Sequence, residues 1–195
     1  MARPRPMSDL EIRPLDASRL ADYLRFFDTR AFSDNPRWAG CYCYFPHHDP
    51  KTTDWPQRPA AQNRDAICAC VEGGTAQGYL AYRQGEVVGW CNAGPRALYP
   101  MLADEAPPDA DATGTIFCFV VAPGHRRQGI ARALLQAACD GLRAQGLRHV
   151  EARPVRDAEG PAANHTGPLA LYLANGFSIV REDAQGDVFV RRNLA

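Results

Sequence analysis

Between Pro123 and Ala131 the chain reads Pro-Gly-His-Arg-Arg-Gln-Gly-Ile-Ala, and those residue types at that spacing suit the holding of a phosphate. If a helix starts at Gly129, its first amides lack intrahelical partners and carry the positive end of its dipole. A pyrophosphate placed there accepts several backbone hydrogen bonds, from the amides between Arg126 and Ala131. Gly129 and Ala131 leave room for close approach, where a larger side chain would clash. Arg126 and Arg127 add mobile charge, Gln128 a neutral donor, and Ile130 an amide. Two rival motifs can be tested directly. Gly124 and Gly129 have the glycine spacing of a nucleoside triphosphate loop, but Ile130-Ala131 stands where that loop needs Lys-Ser/Thr. No G-x-G-x-x-G follows a strand, so a dinucleotide fold lacks its fingerprint. A glycine turn with solvated arginines leading into a core helix is the plainer alternative.

A second cluster lies at Gly40-Cys-Tyr-Cys-Tyr-Phe-Pro-His-His48. Cys41, Cys43, His47 and His48 are zinc-ligand types, enough for a zinc-stabilised interaction module. The Cys-x-Cys gap is tighter than zinc sites use, however, and adjacent histidines rarely converge on one ion, so no metal is expected. Cys68 and Cys70 fall on a predicted helix, where their thiols point to different faces. Seven cysteines, an odd number with no export signal, argue against a disulfide framework.

These residues need elements to position them. Thr115–Val121 (TIFCFVV) reads as a buried strand leading into the phosphate turn. Gly129–Gln145 reads as the amphipathic helix after it, with Ile130, Leu134, Ala137, Ala138 and Leu142 on its core face. Upstream, Glu11–Leu15 suggests a strand and Ser18 a cap for a helix through Leu20, Tyr23, Leu24 and Phe27. Residues 33–60 carry five prolines and no period, an irregular segment of the length that is usually functional. Ala60–Glu72 reads as a helix stopped by Gly73-Gly74. Gly78–Tyr82 and Val87–Asn92 flank a Gln84-Gly85 hairpin turn. Downstream come a strand at His149–Arg153, a short helix at Leu169–Asn175, and strands at Phe177–Val180 and Val188–Arg191. The order predicts one mixed α/β sheet.

The bulk numbers set limits. At 195 residues the chain is long enough for one substantial core. Residues 1–9 are expected to be a disordered tail and 10–195 a single domain. No apolar run approaches a bilayer span and no h-region opens the chain, so a cytoplasmic protein away from membranes is expected. Lysines plus arginines equal acids at 22 each, which argues against a nucleic-acid partner. The excess is local: seven arginines against two acids from Arg126 to Arg156 suit one small polyanion.

Val121-Ala-Pro-Gly-His-Arg-Arg-Gln-Gly-Ile-Ala-Arg-Ala-Leu-Leu135 resembles the acetyl-CoA-binding motif of the GNAT N-acetyltransferase family, whose Gln/Arg-x-x-Gly-x-Gly/Ala is met by Arg126, Gly129 and Ala131. A second signature, Leu-Tyr-x-x-x-Gly-Phe, stands at Leu171–Phe177. The resemblance is firm over residues 78–180 and topological before that. It implies a central, mostly antiparallel sheet flanked by helices, acetyl-CoA as co-substrate without a metal, and direct transfer to a primary amine of a small molecule or peptide within a ternary complex. By the same resemblance, the strand edge at Phe119, Val120 and Val121 pairs with the pantetheine arm. One of the Val120 or Val121 amides faces the thioester oxygen, and Tyr172 protonates the departing thiolate. The region between the first two helices lines the acceptor pocket, with Trp38, Tyr42, Tyr44, Phe45 and Trp55 as an aromatic wall and Arg96 and Tyr99 near its mouth.

The chain also departs from the family pattern. His165, with Asn164 beside it, replaces an asparagine seven residues before the tyrosine, and either could contact the cofactor. Thr115–Val121 carries no carboxylate, leaving Glu86, His47, His48 and His125 as remote candidates for a general base. That gap keeps open a non-catalytic acyl-CoA-binding domain. Homodimerisation is open as well, since no coiled-coil seam is visible.

Overall fold

A computed structural model describes residues 9–105, 107–156, 160 and 164–195. The expected tail falls almost wholly outside them, at residues 1–8. Seven strands form one sheet: β1 (Leu10–Pro14), β2 (Gly78–Arg83), β3 (Glu86–Pro95), β4 (Thr113–Val121), β5 (His149–Ala152), β6 (Ser178–Glu182) and β7 (Val188–Asn193). They lie in the order β1-β2-β3-β4-β5-β7-β6, and only β4 and β5 pair in parallel. The four α-helices among the described residues are α1 (Leu20–Thr29), α2 (Ala60–Glu72), α3 (Ile130–Ala144) and α4 (Leu169–Leu173). A mixed α/β sheet flanked by helices is therefore the architecture.

Each face of the sheet buries its own core. The apolar stripe of α3, with Ile130, Leu134, Leu135 and Leu142, packs on Val88, Val150 and Val190. On the other face Tyr23, Phe26, Phe27 and Ile67 close over Leu80 and Trp90. Ser18 does not cap α1. Asp16 accepts from the Ser18 amide at 2.9 Å and opens a 3-10 turn, Ala17–Arg19, that leads into the helix. Residues 33–60 carry only three 3-10 turns, at Pro36–Cys41, Phe45–His47 and Trp55–Gln57.

The middle of the sheet does not stay paired along its whole length. β4 pairs with β5 only from Thr113 to Ile116, then runs on to Val121 with β3 as its one partner strand. At that point its register with β3 slips, because Asn92 opposes Cys118 while Ala93 opposes Ile116. Phe117 is the extra residue of a bulge, which bends the strand and re-aims its far half. The two parallel strands part there and leave a wedge between them.

Candidate active site

The wedge opens into a cavity of about 1220 Å³, walled by the far half of β4, the 33–60 segment, residues 165 and 166, and the β6–β7 pair. Its floor is set by strand alternation. Ala122 donates to the Val88 carbonyl, so the backbone of Val120, two residues earlier, also faces β3. The groups of Phe119 and Val121 face the wedge. Of the two amides expected near a thioester oxygen, Val121 is therefore the one turned to the cavity, and Val120 lines it with its side chain alone.

At the end of β4 the chain makes a tight turn into α3. Arg127 has φ +58 and Gly129 φ +79, so the backbone turns left-handed twice within three residues. Glycine adopts that conformation without cost, and it brings the free amides of the first turn of α3 to one spot. Ile130 buries its side chain in the core and offers only its amide. Arg126 lines the cavity. Its Nε donates to the Val121 carbonyl at 3.0 Å and its guanidinium grips Asp34. That contact holds the Asp34 carboxyl below its ordinary range. Arg127 is exposed, whereas Gln128 is spent within the protein, accepting from Arg83 and donating to the Gly124 carbonyl at 3.1 Å.

Tyr172 lies on α4 with 0% exposure, edge-on to Phe119 and Phe177. Its hydroxyl donates to the Thr166 carbonyl at 2.8 Å, and burial raises its pKa well above 10, so it is a phenol at neutral pH. It does not itself line the cavity; His165 and Thr166 lie between. The same short segment reaches the strand, because the Phe119 amide donates to the His165 carbonyl at 2.6 Å. Asn164 turns away, donating to the Gly160 carbonyl at 3.2 Å, while the His165 ring lines the cavity and meets Trp38 edge-on at 4.9 Å.

The expected aromatic wall is only partly there. Trp38, Phe45 and Trp55 line the cavity. Tyr42 does not: its hydroxyl donates to Asp28 at 2.7 Å, on the outer side of the loop. Tyr44 is also outside the lining and carries Arg58 over its ring at 5.1 Å. Tyr99 is fully buried, with its hydroxyl on Asn92 at 2.8 Å. Phe117 and Phe189, which no motif marks in the sequence, add aromatic surface instead.

None of the four remote candidates for a base lines the cavity. Glu86 pairs with Arg30 at 3.0 Å. His47 is buried against Asn92, 3.0 Å from Nε2, and burial pushes its pKa down to about 4. The Nδ1 of His48 is 2.5 Å from the Phe45 carbonyl. His125 lies in the turn. Besides Asp34, two carboxylates do line the cavity. Glu151, on β5, accepts from Thr115 of β4 at 3.3 Å and from Arg96, a buried guanidinium. Glu105 is bound by Arg153 and approached by Arg96 at 3.7 Å. Burial alone would raise the Glu105 carboxyl, but Arg153, Arg96 and Arg181 together bring it below its ordinary value. Arg96 is thus spent on these two acids. Glu151 had one signal in the sequence: it stands between Val150 and Ala152, whose side chains enter the core, so its own points to the other face.

Cys41, Cys43 and Cys118 also line the cavity as free thiols. Among the described residues no three His, Cys, Asp or Glu side chains gather as metal ligands, and no helix is long and apolar enough to cross a membrane.

Residues 34–177 match the family model described as the acetyltransferase (GNAT) family. Solved structures of similar fold include an N-acetyltransferase of Staphylococcus aureus Mu50, 19% identical with a TM-score of 0.59 over 95% of this chain and 99% of that one. A GCN5-related N-acetyltransferase of Kribbella flavida is 18% identical with a TM-score of 0.59, over 96% and 99% of the two chains. The PaiA N-acetyltransferase of Thermoplasma acidophilum, in complex with coenzyme A, is 13% identical with a TM-score of 0.57, over 94% and 98%. No curated protein matches the chain by sequence.

Proposed function

We propose that this chain, which belongs to the acetyltransferase (GNAT) family, moves the acetyl group of acetyl-CoA directly to a primary amine held in the same cavity. The observation that carries this reading is the meeting, in one wedge, of an open strand edge, the free amides at the start of α3, and a carboxylate on β5 beside the point where β4 and β5 part.

The chain's own groups divide the work. The amides from Gly129 to Ala131 and the Arg126 guanidinium hold the pyrophosphate. Phe119 and Val121 pair with the pantetheine arm, and a wedge-facing amide stabilises negative charge gathering on the thioester oxygen. Glu151 takes the proton that the amine loses as its nitrogen bonds to the acetyl carbon. Tyr172 gives its proton to the sulfur as the carbon–sulfur bond breaks, once the phenol leaves the Thr166 carbonyl. An ordinary thiol is more acidic than a phenol held above pKa 10, so the sulfur alone cannot draw that proton off. Formation of the amide and return of a proton from solvent to the phenolate draw the step forward.

Release of the CoA thiol, followed across a panel of primary amines, tests the proposal. Amine-dependent release with formation of the amide supports it. The carbonyls of residues 165 and 166 on Phe119 and Tyr172 favour a second reading, an acyl-CoA-binding domain without turnover. Tight binding of acetyl-CoA with no thiol released on any amine would establish that one instead.

A further inference from the structure

The cavity is lined by six arginines and three acids. Each acid is spent: Asp34 on Arg126, Glu151 on Arg96, and Glu105 on Arg153 and Arg96. Arg37, Arg58 and Arg181 form no ion pair with a carboxylate among the described residues. Arg37 is three residues from Asp34, on the side of the phosphate turn. Arg181 is elsewhere. It sits on β6, three strand positions from β4, on the order of 14 Å from the strand that leads into the turn. It is far from any phosphate held by α3.

Arg181 is also held in place. It opposes Phe189 across the β6–β7 pair and lies over that ring at 3.5 Å from its centroid, while Arg153 lies over the same ring at 4.6 Å. Stacking fixes the guanidinium plane and leaves its edge donors free, the arrangement that receives a carboxylate through two parallel hydrogen bonds. With Arg153 already neutralised by Glu105, this wall offers one positive charge. That matches a monoanion.

We infer that the acceptor carries a carboxylate, docked on Arg181, at the far end from its reacting amine. This rests on the amine-acetylating reading above. β6 is two strand positions from β5, where Glu151 receives the amine, and Arg181 is offset from Glu151 by two residues along the strands, so the two positions are about 12 Å apart. An extended chain covers that distance in about three residues. The acceptor class is therefore a short peptide of about three residues, acetylated at its N-terminus and held by its free C-terminal carboxylate, in preference to a single α-amino acid.

The test compares single amino acids, dipeptides and tripeptides, each as the free acid and as the C-terminal amide, with a plain alkylamine as reference. In the unaltered protein the tripeptide acid should exceed its amide in kcat/KM by about tenfold, through KM, and should exceed the single amino acid. Arg181→Gln should close the gap between acid and amide and Arg181→Lys should restore part of it, with melting temperature confirming that both variants fold. Equal rates for acid and amide, or a gap untouched by Arg181→Gln, overturn the inference. So does turnover of the alkylamine with none of any peptide, which leaves the acetyltransferase reading standing. No turnover of any amine removes both.

Discussion

The Tyr172 hydroxyl donates to the carbonyl of Thr166, six residues before it in the chain, at 2.8 Å. One residue earlier, the His165 carbonyl holds the Phe119 amide. A single short segment therefore occupies both the proposed acid and one of the two cavity-facing amides of β4. In the proposed binding mode the pantetheine arm exchanges these carbonyls for cofactor groups, which would couple cofactor entry to release of the phenol.

Tyr172→Phe should lower kcat by about a hundredfold, the lower range for a positioned acid, while leaving CoA affinity within a few-fold. Loss of the bond to Thr166 should cost about 1 kcal/mol of stability. Thiol-release kinetics beside calorimetric CoA binding and an unfolding curve check these effects. Unchanged kcat would remove Tyr172 from the chemistry.

Glu151→Gln should reduce kcat by about a hundredfold or more with little change in KM for acetyl-CoA. It also leaves the buried Arg96 with only Glu105 as an acidic partner, so a fall in stability is expected. Steady-state rates together with urea unfolding separate the two effects. Full activity in a folded Glu151→Gln protein would mean that the amine loses its proton elsewhere.

Arg126 and Asp34 predict changes of opposite sign. Arg126→Gln should weaken CoA binding about tenfold by removing a charge-assisted contact to phosphate. Asp34→Asn should tighten it by a few-fold, because phosphate no longer competes with a carboxylate for the same guanidinium. Calorimetric titration with CoA reads both, and weaker binding by Asp34→Asn would contradict the competition.

His47 sets a pH dependence of stability. Burial holds its folded pKa at about 4, below the ordinary 6.5. As pH falls, the unfolded chain takes up the proton first, so stability is fully present above pH 6.5 and declines toward pH 4. The loss amounts to about 3 kcal/mol. Asp34 and Glu105, held below their ordinary values, act in the same direction but only at lower pH. Denaturant midpoints at about pH 7 and about pH 4.5 measure the decline, and His47→Gln should flatten it.

The strand, turn and helix proposed to hold the cofactor were legible in the sequence because they are local. Strand, turn and helix succeed one another from Thr115 to Ala144, and Gly129 announces the left-handed residue that the turn requires. The acceptor half was not legible, because it is assembled across the sheet. Glu151 comes from β5, opposite Thr115 and one pair before β4 and β5 part, and Arg181 and Phe189 come from the β6–β7 pair. Tyr42 and Tyr44 read as pocket residues by their type and by the region that the resemblance places at the pocket. Consecutive left-handed residues at Tyr42 and Cys43 turn the chain over there, and no spacing rule foretells which rings then face inward. Ser18 shows the same limit on a small scale: Asp16, two residues away, caps the 3-10 turn before α1, and α1 itself has no side-chain cap.

The path of the acetyl group tests the central claim most directly. Acetyl-CoA labelled with a heavy isotope in the acetyl carbonyl should be mixed with the protein and an amine, and product and protein weighed by mass spectrometry over a single turnover. Direct transfer predicts that the label passes to the amide in step with release of the CoA thiol, with no acetyl adduct on the protein at any time. Label retained on a cavity thiol such as Cys43 or Cys118, or released as free acetate, would contradict it.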